Sequence, residues 1–342
     1  MKVSIIIPVY NVEPYVERCL QSVMAQTYKG PLECILVDDC GKDRSMDVAV
    51  EYINRNVNDN HNIEFVFLHH ERNRGLSAAR NTGMTAATGD YLFFLDSDDE
   101  ISDDCIEKLA SPLTEERYDL VVGNIDTIGN DSLGKLLNLK LNDGEVLKGK
   151  MIMDAYRCNW NMIVPNKLYR TAFIREHGLQ FKEGLVHEDE LWSFQVACLA
   201  QSLKAVNRKT YIYYIRENSI TISVNAKQRK REALKNIVAE MRNFLIERHI
   251  FSASAYRLVQ YFSWRILKST LNNRSQFIQD YCQLRQITHF PLSYRIKAKG
   301  LHLRAQLNNL YYIMPSKTAA SIIYWRKHSS FNNHENNYSR KR

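Results

Sequence analysis

The chain has 342 residues, 45% of them hydrophobic and 25% charged, a globular composition that excludes a collagen, a long coiled coil and a fully disordered chain. Its net charge of +8 is unevenly held: from Ala226 onward there are 22 Lys and Arg against 5 Asp and Glu, whereas the residues before carry 24 against 33. The seven cysteines are scattered, with no Cys-x-x-Cys pair, and there is no cleavable leader or apolar run of about 18 residues, which together point to a cytoplasmic protein without disulfides or a spanning helix.

In chain order, Val3 to Val9 is a short apolar run that reads as a strand. Val12, Tyr15, Val16, Cys19, Leu20, Val23 and Met24 follow at helical spacing, with Pro14 in the first turn where a missing N–H costs little. Cys34 to Val37 predicts a second strand ending in Asp38-Asp39, and Ser45 starts a helix with Met46, Ala49, Val50 and Ile53 on one face. Ile63 to Leu68 predicts a strand, Leu76 to Ala87 a helix, and Tyr91 to Leu95 a strand covered on both faces that runs into Asp96-Ser97-Asp98-Asp99. A helix from about Asp103 to Leu113 and a strand from Asp119 to Ile125 complete an alternation that predicts an α/β fold, a mostly parallel sheet with helices on both faces.

Beyond Asp126 the pattern loosens. Ser132 to Asp143 reads as a loop or hairpin, Glu145 to Arg157 as a helix, Phe173 to Gly178 and Glu188 to Ala200 as two more, and Ala205 to Tyr214 as a strand. After Ala226 nearly everything reads as helix broken at Pro291 and Pro315, and the polar residues 331–342 read as a disordered tail.

Ligands of open parallel sheets sit outside the carboxyl ends of the strands. Three expected ends here carry polar groups: Pro8-Val9-Tyr10-Asn11, Asp38-Asp39 and Asp96-Ser97-Asp98-Asp99. Carboxylates gathered in one crevice repel one another unless a cation joins them, and oxygen ligands favour Mg²⁺ or Mn²⁺ shared with a substrate's phosphates. Gly129 to Lys135 spells Gly-x-x-x-x-Gly-Lys, but Leu136 follows where a P-loop needs Ser or Thr. No Gly-x-Gly-x-x-Gly, His-Glu-x-x-His or Gly-x-Ser-x-Gly occurs, so dinucleotide, metalloprotease and hydrolase readings lack support.

Taken together, residues 4–11 (SIIIPVYN), 37–45 (VDDCGKDRS), 73–83 (NRGLSAARNTG) and 89–99 (GDYLFFLDSDD) resemble, in order and spacing, the successive blocks of family 2 glycosyltransferases of GT-A fold. His187-Glu188-Asp189-Glu190-Leu191-Trp192 resembles that family's later Glu-Asp element, and Asn166-Lys167-Leu168-Tyr169-Arg170 the segment before it. The resemblance implies a Rossmann-like nucleotide-sugar-binding catalytic domain over residues 1–220, leaving a basic helical region over 221–330. It also implies that Pro8, Tyr10, Asn11, Asp39, Asn73, Arg80 and Asp96 line the nucleotide site, with Asp39 on the base, commonly uracil. Asp98 is then the metal ligand and Asp189 the catalytic base, with Glu188 and Glu190 as alternatives for that role. His187, Glu188 and Trp192 fall on the acceptor side. Cys40-Gly41-Lys42-Asp43 departs from the usual second block and leaves its loop conformation open. The Gln-x-x-Arg-Trp signature of processive members is absent.

The expected reaction is a single inverting transfer from a nucleotide-diphosphate sugar to an acceptor hydroxyl in cell-surface polysaccharide or glycolipid synthesis. A nucleotidyl- or phosphoryl-transferase using the same acidic site, and an inactive nucleotide-sugar-binding relative, are the competing readings. The basic last third, with Ile322, Ile323, Tyr324 and Trp325 beside Lys317, Arg326 and Lys327, either contacts an anionic membrane, where a lipid-linked acceptor would lie, or packs on the core with its charges in water. Nucleic acid is not expected.

Overall fold

The computed structural model describes residues 1–56, 62–129, 137–215, 226–299, 314–325 and 327. The Gly-x-x-x-x-Gly-Lys run beyond Gly129 and the tail 331–342 lie outside the described residues.

Contacts divide the chain into two compact units, Met1–Val224 and Asn225–Arg342. In the first, β1 (Val3–Val9), β2 (Leu32–Asp38), β3 (Ile63–His69) and β4 (Tyr91–Phe94) form a parallel ladder in the order β3-β2-β1-β4. Every residue of β1 is buried, as an apolar run closed by Pro and Asn demands of a strand covered on both sides. Val3, Ile5, Ile7 and Val9 face α1 (Val16–Met24), α2 (Ser45–Asn56) and α4 (Cys105–Ala110), meeting Val16, Cys19, Leu20, Ala49, Ile53, Cys105 and Ile106 in one core. Ile6 faces the other way, under α3 (Leu76–Ala86). There Gly83 lets helix and strand close so tightly that a Cβ would lie 2.4 Å from Ile6 Cγ2. The sheet therefore carries helices on both faces.

The register fixes where the strands end. Val9 pairs with Asp38, Ile6 pairs with Phe94, and Leu95 donates its N–H to Ile6 O. The segments after β1, β2 and β4 leave the sheet side by side.

The rest of the sheet departs from the sequence expectation. Asp119 to Ile125 was expected as the next strand of a parallel run. It is β6 (Leu120–Ile128), and an antiparallel strand, β8 (Lys167–Arg170), separates it from β4. β6 then pairs in parallel with β9 (Ser202–Tyr214), whose antiparallel partners are the short β5 (Glu100–Ile101) and β7 (Val146–Lys148). The helix expected over Glu145 to Arg157 is β7 followed by the short α5 (Lys150–Ala155). Gly149 at φ 53° makes the break, a conformation a residue with a side chain adopts only at a cost. α6 (Thr171–Glu176) and α7 (Glu188–Leu199) complete the unit.

The second unit is helical: α8 (Ala226–Glu247), α9 (Ala253–Lys268), α10 (Arg274–Ile287), α11 (Leu292–Lys299) and a further helix over 316–325. Ser252 Oγ and Asn273 Oδ1 accept from Ala255 N and Gln276 N, satisfying orphan donors at the starts of α9 and α10. Ile237, Val238, Met241, Val259, Phe262 and Phe277 are fully buried. No described helix is long and apolar enough to cross a membrane.

Candidate functional site

The loops after β1 and β2 are stitched to each other. Asn11, in the left-handed region at φ 52°, accepts Lys42 N on Oδ1 at 2.8 Å. Gly41 lies so close that a Cβ would stand 3.1 Å from Asn11 N. Asp43 accepts Glu13 N at 2.9 Å and Ser45 N at 3.1 Å, and Ser45 Oγ accepts Val12 N at 2.7 Å. The unusual Cys40-Gly41-Lys42-Asp43 stretch thus closes the loop with Cys40 at φ 58° and Asp43 as its tie. Pro8 is buried within β1, and Tyr10 stands 43% exposed just beyond it.

Asp39 is 3% exposed. Its Oδ1 accepts Arg74 N at 2.8 Å and meets His70 Nδ1 at 2.7 Å, and its Oδ2 accepts Gly75 N at 2.7 Å. His70 in turn reaches Thr82 Oγ1 at 2.9 Å. Asp39 therefore organises the 70–75 loop, which presents Asn73 at the surface. A carboxylate has roughly four lone-pair sites, so three donors leave room for one more.

At the end of β4 the three aspartates have different surroundings. Asp99 is 1% exposed and accepts Tyr211 Oη–H at 2.7 Å and Tyr214 N at 2.9 Å. Burial first, then the charges of Asp96 and Asp98, push its carboxyl well above the usual range, against those two donors. Asp96 and Asp98 are half-buried, and Asp96 Oδ1 accepts Arg80 Nη2 at 2.8 Å. The backbone carbonyl of Asp98 accepts Arg18 Nη2.

Arg80 joins this strand end to α7. It is 2% exposed, donates from Nη2 to Asp96 and from Nη1 to Glu188 Oε1 at 2.7 Å, and has its guanidinium 5.3 Å from the Phe181 ring centroid. Burial works against its charge, but Asp96, Glu188 and Asp189 outweigh it and raise its pKa, so it stays a cation. Asp96 and Glu188 are 92 residues apart in sequence, and one side chain holds them together. Both terminal nitrogens of Arg80, a residue expected at the nucleotide, donate within the protein.

Of the three acids opening α7, two are neutralised. Glu188 pairs with Arg80, and Glu190, 5% exposed, pairs with Arg157 Nη1. Asp189 is half-buried and accepts Glu190 N on Oδ1 at 2.9 Å. Burial first, then Glu188 and Glu190, lift its pKa to about 7, with Arg80 and the Glu190 N–H pulling the other way. His187 caps the helix at φ 62° and is half-buried. Trp192 corrects the sequence expectation: it is 1% exposed, stacked on Phe181 at 4.1 Å and edge-on to Phe94 and Tyr169, so it supports α7 from beneath and cannot touch an acceptor.

Sequence reasoning missed Lys167. It is 1% exposed at the start of β8, with its ammonium on Asn161 Oδ1 at 2.9 Å, Pro165 O at 3.3 Å and the Ile163 carbonyl. Burial pulls its pKa down to about 7, against the attraction of Asp189. Its acceptors lie in the loop whose Met162 carbonyl accepts Ser193 Oγ–H from α7. The available signal was its place in the Asn166-Lys167-Leu168-Tyr169-Arg170 segment.

Among the described residues no three His, Cys, Asp or Glu side chains gather as a metal cage. At this strand end Asp96 is engaged by Arg80 and Asp99 by two tyrosines, and carboxylate oxygens are the ligand type that hard cations take together with substrate phosphates.

A family model for glycosyl transferase family 2 matches residues 4–177, just over half the chain. Glycosyltransferase GlyA of Streptococcus pneumoniae is 32% identical over 230 residues, which is 64% of this chain and 31% of GlyA, so the chain spans about a third of that relative's length. The crystal structure of S. aureus TarS 1-349 in complex with UDP-GlcNAc matches with a TM-score of 0.69 at 21% identity, covering 98% of this chain and 92% of its own. The mannosyltransferase PcManGT from Pyrobaculum calidifontis, solved with GDP-Man and Mn²⁺, matches with a TM-score of 0.53 at 14% identity over 94% of this chain and 86% of its own. At such identities the two structures speak for the fold, the GT-A arrangement of sheet and helices found above.

Proposed function

The chain belongs to glycosyltransferase family 2, and on that premise we propose that it transfers one sugar, with inversion, from a nucleotide-diphosphate sugar to an acceptor hydroxyl. The donor lies along the ends of β1, β2 and β4. The TarS structure holding UDP-GlcNAc supports a uridine donor. In this reading Pro8, Tyr10 and Asn11 line the nucleotide pocket, Asp39 offers its remaining lone pair to the base, Asn73 reaches the diphosphate, and Asp96 borders the ribose. The acceptor is a saccharide or lipid-linked saccharide of the cell surface, approached past His187, with the protein peripheral on the cytoplasmic leaflet.

Asp98 is the protein ligand for Mn²⁺ or Mg²⁺, and the cation, when bound, would stabilise charge on the departing diphosphate. The PcManGT structure, which holds GDP-Man and Mn²⁺, supports a divalent cation alongside the nucleotide sugar. The protein's own work is on the other side of the sugar. Asp189 accepts the acceptor's proton as the hydroxyl oxygen attacks C1, and the bond from C1 to the diphosphate breaks on the opposite face. A carboxyl lifted to about 7 suits that task, because a substantial fraction is ionised at neutral pH and the carboxylate is basic enough to take a proton. Glu188 and Glu190 are unsuited, each being paired with an arginine.

The observation that carries the reading is the Arg80 bridge, which joins the acidic end of β4 to the start of the helix bearing Asp189. We expect Asp189→Asn to lower transfer by about 10²–10⁴-fold while leaving the thermal shift given by a sugar nucleotide with Mn²⁺ unchanged. Retained turnover in that variant would place the base elsewhere.

A further inference from the structure

We infer that the helical unit docks on an anionic lipid bilayer through one face built from α9, the start of α10 and the helix over 316–325. The inference sharpens the reading of a lipid-linked acceptor above but does not depend on it.

The charge comes first. From Arg248 to His334 the sequence carries 13 Lys and Arg and a single acid, Asp280. That acid is 0% exposed and spent inside the unit: Lys235 Nζ lies 2.8 Å from its Oδ1, and Arg231 Nε lies 3.6 Å from its Oδ2. No carboxylate in this stretch is left to offset the cations at the surface.

The aromatic residues come second. α9 buries Tyr256, Val259, Phe262, Ser263, Ile266 and Leu267 on its inner side. Its other stripe reads Tyr261, Trp264, Arg265, Lys268, spaced i, i+3, i+4, i+7. Tyr261 is 49% exposed, and the Arg265 guanidinium lies 6.0 Å from its ring centroid. Lys327 Nζ lies 5.2 Å from the Trp264 ring, which brings the end of the C-terminal helical segment against α9. Trp325, two residues earlier, is 59% exposed with the Arg274 guanidinium 6.0 Å from its ring. Ile322 on the same helix is 41% exposed.

Tyr and Trp interleaved with Lys and Arg are suited to the boundary between headgroups and acyl chains, where ring bodies enter the apolar layer and cations meet anionic lipid. A soluble anionic polymer would also answer the cations. It would gain nothing from Ile322, whose exposed aliphatic surface is relieved by an apolar medium such as the acyl layer and not by a polar polymer.

The test uses the full chain with vesicles of phosphatidylcholine alone and of phosphatidylcholine mixed with phosphatidylglycerol, the lipids also prepared with brominated acyl chains. Of the four tryptophans, Trp160 and Trp192 are each 1% exposed in the first unit, so bromine quenching reports on Trp264 and Trp325. We expect co-sedimentation with the phosphatidylglycerol vesicles only, weakened by salt, with Trp emission quenched. Arg274→Glu with Lys327→Glu should weaken it by roughly tenfold or more, and Trp325→Ser should remove most of the quenching. A sugar-nucleotide thermal shift unchanged in these variants shows that they fold and separates this result from the transferase reading. Failure to sediment, or sedimentation without quenching that a soluble polyphosphate abolishes, would overturn the bilayer assignment.

Discussion

Asp189 and Asp280 are both aspartates on helices, and the two units treat them in opposite ways. In the helical unit Asp280 is sealed at 0% exposure and neutralised by Lys235 and Arg231. In the α/β unit Asp189 is half-buried beside two further acids, and the arginines nearby are engaged with those neighbours, Arg80 with Glu188 and Arg157 with Glu190. One carboxylate is made inert by its partners. The other is left half-buried with a raised proton affinity. A buried charge with its partner in place contributes to one packing, whereas a group destabilised by burial and like charge is a candidate for chemistry.

The comparison can be broken most severely at the two buried cations that hold each array together. Arg80→Met leaves Asp96 and Glu188 without their cation, and Lys235→Met deprives Asp280 of its closest one. Each should cost about 3–5 kcal/mol of stability in chemical denaturation. Only Arg80→Met should also lower transfer per folded molecule, because only it releases α7 from the donor strand. Equal loss of transfer in both would make the bridge purely structural.

A smaller effect sharpens the donor side. Asp98→Ala should lower transfer by roughly 10²–10³-fold at saturating Mn²⁺, the size expected when one stabiliser of developing negative charge is removed. The metal-dependent part of the sugar-nucleotide thermal shift should vanish with it. An unchanged metal dependence would move the ligand to another carboxylate.

The smallest effect concerns stability against pH. The Asp189 carboxyl stands at about 7 in the folded protein against an ordinary 3.8. Between those values the folded chain keeps a proton that the unfolded chain has released, so stability falls as pH rises through that window. Asp189→Asn removes the cost. Its melting temperature should exceed the wild type's by a few degrees at pH 8, with no gain at pH 4, on the order of 0.5–2 kcal/mol. A variant less stable than wild type at pH 8 would contradict the assigned burial cost.

The parts of the fold visible in the sequence were those where burial alone determines the pattern. Val3–Val9 is an apolar run that stops at Tyr10-Asn11, Leu32–Asp38 and Tyr91–Phe94 run into acids, and all three are buried strands whose ends adjoin. β8 was hidden because its four residues, beginning with Lys167 and ending with Arg170, offer no period, and the lysine is buried only because the 161–165 loop supplies oxygens for it. β7 was hidden within a helical pattern that Gly149 interrupts. At the site, the residue types at the strand ends were readable, but Arg80's partners lie 16 and 108 residues away and its role as a bridge is a tertiary fact. Trp192 looked like a contact for an acceptor because it follows the acids of α7; the helix turns it inward onto Phe181.

The claim on which the rest depends is that the Asp189 carboxylate takes the acceptor's proton. The pH dependence of kcat/KM for the wild-type enzyme tests it most directly, since that ratio reports the ionisation of the free enzyme. Asp189 must lose its proton to act, so kcat/KM should rise with pH along a limb centred near 7. A rate already flat from pH 5.5 upward would mean that an ordinary carboxylate, or none, serves as the base.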